Sequence, residues 1–196
     1  MYVLYRVWFA ALEQIVPVLL VTPFFIIWCQ KRRFGLSKSL WHYFFMMYLF
    51  AVLGLTGFPS IRYFGFDPSL YLIPFVGMAS DVKNSFLNVF LFIPLGFFLP
   101  FLSRKYDSFK SVFLFGLCVT CAIEFCQLFC WRLTDINDVI TNCAGTALGY
   151  QIARPLKKPE NRESGESGIL ILIGVVSAFM FLIQPYALPA IWTVLF

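Results

Sequence analysis

Residues 111–130 read SVFLFGLCVTCAIEFCQLFC, residues 131–135 read WRLTD, and residues 136–153 read INDVITNCAGTALGYQIA. A helix of about 20 mainly apolar residues matches the hydrocarbon thickness of a bilayer. Two such runs joined by so short a break must lie side by side as an antiparallel pair. The hairpin is apolar by composition, yet it carries Glu124 and Gln127 shortly before the break, Asp135 at its end, and Asp138 and Asn142 after it. An ionisable side chain inside a span costs about 2.5 to 3.5 kcal/mol on insertion scales, so each one needs a reason.

The rest of the chain agrees with a lipid solvent. Across 196 residues, 60% are hydrophobic and 13% are charged, against about 25% charged in soluble domains. Runs of suitable length predict an all-α polytopic membrane protein with six transmembrane helices, at about 8–29, 40–58, 86–102, 111–130, 136–153 and 169–189. Pro17, Pro23 and Pro94 remove backbone donors and are expected to kink the first and third spans. Trp8, Trp28, Trp41, Trp131 and Trp192 fall near span ends, where an aromatic belt sits. The first span has only Arg6 before it, runs on to Cys29 and lacks a small-residue cleavage pattern, so it reads as a retained helix.

Lys31, Arg32, Arg33, Lys38, Arg104, Lys105, Lys110, Arg154, Lys157, Lys158 and Arg162 fall in the connections after the first, third and fifth spans. The other side holds only Arg6, Arg62, Lys83 and Arg132. By the positive-inside rule both termini face outward, and the loops 59–85 and 131–135 are extracytoplasmic. The net charge of +5 is thus a topology signal, and no basic face for nucleic acid is expected. Residues 154–168 read as a solvated cytoplasmic linker. No internal repeat of the inverted-transporter kind is visible.

His42 has no second histidine near it and reads as interfacial filler. The six cysteines, including Cys118-x-x-Cys121, lie in or beside apolar spans and read as packing residues.

Asn84 and Asn88 lie one turn apart on the third span, and Glu124 and Gln127 share a face of the fourth. Asp135, Asp138 and Asn142 form one stripe on the fifth, with Gly145-x-x-x-Gly149 further along to admit a neighbouring backbone. At 1.5 Å per residue, Glu124 and Asn142 each sit about 10 Å below the outer surface. Glu124, Gln127, Asp138 and Asn142 are therefore expected to converge, with Arg132 above and Asn88 beside them. Interhelical glue at about 0.6 kcal/mol per contact explains Gln127 or Asn142 alone. It explains three acids beside one arginine less well.

The functional reading gives Glu124, Asp135 and Asp138 the roles of general acid, general base or ligands of a divalent cation. Arg132 is the anion contact, and Gln127, Asn88 and Asn142 orient the ligand. Membrane lipids or a lipid-linked envelope precursor are the expected partners.

These residues also resemble a known family. Asn88 through Gly96, Glu124-x-x-Gln127 and Arg132-x-x-Asp135-x-x-Asp138-x-x-x-Asn142-x-x-Gly145 are similar to the VanZ-like bacterial membrane proteins. Tyr71-Leu-Ile-Pro74-Phe75 resembles that family's Asn-Leu-Ile-Pro-Phe segment, with Tyr in place of Asn. The resemblance covers about residues 40–153, flanked by an N-terminal helix and loop (1–39), the linker and a C-terminal helix (169–196). It implies the bacterial cytoplasmic membrane and, for the family's namesake, a link to teicoplanin and lipoglycopeptide resistance. The expected function is to bind an amphiphilic or lipid-linked molecule with an anionic or glycosylated head at the outer face, chemical processing being the step the acids would add. A lipid transporter or flippase and a non-catalytic partner subunit are the alternatives.

Overall fold

The structure is a computed structural model that describes residues 2–62, 64–66, 69–76, 78, 81–156 and 167–186, with the backbone alone for 2–15 and 167. Among the described residues six α-helices follow in order: α1 (Tyr2–Lys31), α2 (Leu36–Thr56), α3 (Val82–Leu102), α4 (Phe109–Gln127), α5 (Ile136–Ala153) and α6 (Ser167–Leu182). Two-residue strands β1 (Leu70–Tyr71) and β2 (Thr134–Asp135) pair in parallel between α2 and α3 and before α5. The all-α expectation holds. Arg6, Trp8 and Trp192 lie outside the described side chains, as does most of the 154–168 linker.

Among the described residues, four helical segments are long and apolar enough to cross a membrane: Leu36–Thr56, Val82–Leu102, Phe109–Gln127 and Gly168–Tyr186. In α1 the apolar stretch with described side chains, Val16–Lys31, is shorter. The fifth expected span, α5, is not among the four, because Asn137, Asp138, Thr141, Asn142 and Thr146 interrupt its apolar character. Most of those polar residues are buried against protein, so lipid need not accept them.

The chain forms two compact units, one of residues 1–63 with 171–196, the other of residues 64–170. In the first, α1 and α2 pack together: the Thr22 hydroxyl lies 3.2 Å from the Tyr43 hydroxyl, and Phe25 meets Tyr43 with ring centroids 5.5 Å apart. His42 is almost fully buried against the rings of Trp28 and Phe34. Its Nδ1 lies 2.8 Å from the Lys38 carbonyl. The α2 helix ends at Gly57, whose φ of 78° is the left-handed C-cap conformation glycine favours.

In the second unit α3 and α5 run parallel, with α4 antiparallel to both. What lets α3 and α5 meet is the absence of side chains. A Cβ on Gly145 would strike the Val89 carbonyl, one on Gly149 the Ile93 carbonyl, and one on Gly96 the Thr146 carbonyl. The Gly145-x-x-x-Gly149 pattern thus presses backbone on backbone, with Gly96 supplying the reciprocal notch.

Side-chain caps set where these helices start: Asp81 accepts from the Asn84 amide, Ser108 from Ser111 and Asp135 from Asn137. At the opposite end, the Tyr150 hydroxyl donates to the Asp107 carbonyl at 2.7 Å, fixing the last turn of α5 to the α3–α4 connection.

Candidate functional site

The α3 and α5 helices begin, and α4 ends, at the same end of the second unit, and there the polar residues collect. The Asn88 amide donates to Asp138 Oδ1 at 2.6 Å, joining α3 to α5. The Asp135 main-chain N–H donates to Glu124 Oε2 at 3.1 Å, joining α5 to α4. A second tie comes from the Thr134 hydroxyl, which donates to the Glu124 carbonyl at 3.1 Å. Glu124 is only 5% exposed, and Asp138, Asp135 and Arg132 all lie within electrostatic range of it. Arg132 and Asp135 act on Asp138 in the same way. Arg132 itself is exposed at the rim. Glu124 and Asp138 therefore share one electrostatic environment.

The remaining candidates fall at different depths. Gln127 is buried one turn from Glu124 on the face of α4 they share. Asn142 lies one turn below Asp138, where its Nδ2 donates to the Thr120 hydroxyl at 2.8 Å. Asn142 is 3% exposed, and its Oδ1 has no hydrogen-bond partner among the described residues. The polar column thus has an upper layer of Asn88, Glu124, Asp135 and Asp138 and a lower layer of Thr120 and Asn142. Below the column Gly145, Thr146 and Gly149 close α5 against α3. Asn84, the other amide of the third span, lies apart and caps α3 through Asp81.

The carboxylates do not converge as three equivalent ligands. Asp135 turns its Oδ1 back to the Asn137 amide at 2.8 Å as the cap of α5, so it serves the site through its main-chain N–H. Among the described residues, no group of three His, Cys, Asp or Glu side chains is arranged to hold a metal ion. The available chemistry is a buried acid, Glu124, and a half-buried one, Asp138, with the capping carboxylate of Asp135 within electrostatic range of both, an amide donor and a rim arginine.

Sequence reasoning passed over Asn137. It is 5% exposed, accepts from the Phe75 N–H at 2.7 Å and donates to the Val76 carbonyl at 3.0 Å. One amide thereby holds the 69–76 segment, which also pairs Leu70 with Thr134 and Tyr71 with Asp135. The segment that resembled Asn-Leu-Ile-Pro-Phe therefore docks beside the acids. Tyr71 is placed there by its main chain, with its side chain exposed.

Comparison with known proteins places these residues within a wider similarity. Residues 45–157 match the family model described as VanZ/LLP1. The chain is 28% identical over 150 residues to Protein VanZ of Enterococcus faecium, an alignment covering 76% of this chain and 91% of that relative. No solved structure matches.

Proposed function

The chain belongs to the VanZ/LLP1 family, and from that premise we propose that it is a cell-envelope protein of the bacterial cytoplasmic membrane that binds an amphiphile at the outer face. The ligand is an amphiphilic or lipid-linked molecule with an anionic or glycosylated head. The cluster of Glu124, Asp138, Asn88 and Arg132 receives the head. The observation that carries this reading is the Asn88–Asp138 bond of 2.6 Å, set beside a buried Glu124 within range of the same Arg132. Helix glue needs hydrogen-bonding groups, and amides supply them without charge. Two acids near one exposed cation suit a site that meets a polar head.

The cation excess in the loops after the first, third and fifth helices supports an outward-facing position for this end. Arg132, fixed in charge and with a planar fork of donors, suits a phosphate or carboxylate at the rim. Glu124 and Asp138 are the candidates for proton transfer to or from a bound head. The link of the family's namesake to teicoplanin and lipoglycopeptide resistance accords with this ligand class, since a lipoglycopeptide itself joins an apolar chain to a glycosylated head. Transport is less well supported. The polar column stops at Thr120 and Asn142, and backbone contact seals α3 on α5 below it.

The test is native mass spectrometry of the protein in phospholipid nanodiscs doped with a polyprenyl phosphate or a glycolipid. Saturable retention of a doped lipid that falls at least tenfold in Arg132→Gln is the expected result. Equal retention by the wild type and an unrelated membrane protein would remove the proposal. Conversion of the retained lipid would identify an enzyme, and movement of labelled lipid between leaflets would favour the flippase.

A further inference from the structure

Residues 69–76, Ser-Leu-Tyr-Leu-Ile-Pro-Phe-Val, form no helix and contain no charge. Their side chains nevertheless point away from the protein: Leu72 is 61% exposed, Ile73 66% and Phe75 68%. A loop in water covers such residues or replaces them with polar ones. Here the main chain is what turns inward. The Ser69 carbonyl accepts from the Thr134 N–H, β1 pairs with β2, and Asn137 takes both the Phe75 N–H and the Val76 carbonyl. Apolar side chains outward, with main-chain groups at both ends of the segment bonded inward, is an arrangement that suits hydrocarbon, where no water is available to the backbone. Phe75 adopts a φ of 65°, a conformation bulky residues rarely take. The bond from its N–H to Asn137 holds it there.

Other exposed apolar side chains lie at the same end of the unit. At this end of the unit Phe86 and Phe90 on α3 and Phe125 on α4 are exposed on helices long enough to cross a membrane. Trp131, beside the segment's neighbour Gly65, is 69% exposed, as suits an indole at the level of lipid headgroups. We infer that residues 69–76 are an arm inserted among the acyl chains of the leaflet next to the site, with Asn137 as the positioning residue that anchors it. The inference does not require that the acids bind or process any ligand.

Lipid crosslinking tests it on the full chain. A benzophenone side chain is introduced at Ile73, at Phe75, at Phe90 as the lipid-facing reference, and at Arg104 as the reference from the other end. Each protein is irradiated in phosphatidylglycerol and phosphatidylethanolamine vesicles and analysed by mass spectrometry. Phospholipid adducts at positions 73 and 75 within about twofold of position 90, and well above position 104, are expected. Adducts at 90 without adducts at 73 and 75 would overturn the arm. Crosslinks from 73 or 75 to a second polypeptide in native membranes would do the same, by giving the surface a protein partner.

In Asn137→Ala the adducts at 73 and 75 are expected to fall severalfold while those at 90 stay constant. Where that variant does not fold, Asn137→Asp retains the acceptor for Phe75 and loses the donor to Val76, and a smaller fall is expected. Unchanged adducts in whichever variant folds would remove Asn137 as the anchor.

Discussion

Truncating Asn88 to alanine leaves Asp138 without its donor from α3, a loss of about 1 kcal/mol by the scale of interhelical polar contacts in membranes. The midpoint of thermal unfolding in detergent is expected to fall accordingly. Asn88→Asp is expected to lower it further, because two carboxylates then face each other where an amide met one. Glu124 and Asp138 were legible in sequence because an ionisable residue in an apolar run stands out, whatever it touches. Asn137 was not, although it sits between Asp135 and Asp138. At about 100° per residue it lies off the stripe those two define with Asn142. Its partners Phe75 and Val76 are 62 and 61 positions away, so no local pattern marks it. Asp135 was legible as a polar residue but not as a cap, and its role follows from where α5 starts.

The α3–α5 seam depends on glycine at particular turns. Gly149→Val is expected to destabilise the protein by about 3 kcal/mol, at the upper end for overpacking, because the added side chain meets the Ile93 carbonyl. Gly174→Ala on α6, where a Cβ meets nothing within 4 Å, is expected to be neutral or to stabilise by up to about 1 kcal/mol. Unfolding in denaturant separates the two. All six helices were visible in the apolar runs, since length and hydropathy report directly on the solvent. Their starts were less visible: α2 begins at Leu36 and not near 40, α3 at Val82 and not near 86. Gly35 and Asp81, which precede the first turns, are polar-loop residues in a hydropathy reading and caps in the structure. The β1–β2 pairing left no sequence trace, because two residues are too few for an alternating pattern.

At the scale of the whole chain, the charge distribution predicts which side each loop faces. A membrane-impermeant maleimide on intact cells is expected to label Asp81→Cys and to label Arg104→Cys only after permeabilisation. The reverse pattern would place the acid cluster in the cytoplasm. Under the proposed function the acids of α4 and α5 form one binding site, and the fraction of purified protein that carries a bound small molecule tests this directly. Native mass spectrometry of the wild type, Glu124→Gln, Asp138→Asn and the double variant is predicted to show at least tenfold less bound species in each single variant. The double variant should lose little more, because either change already disables the shared site. Retention of every bound species by all four folded proteins would contradict the account and return the cluster to helix packing.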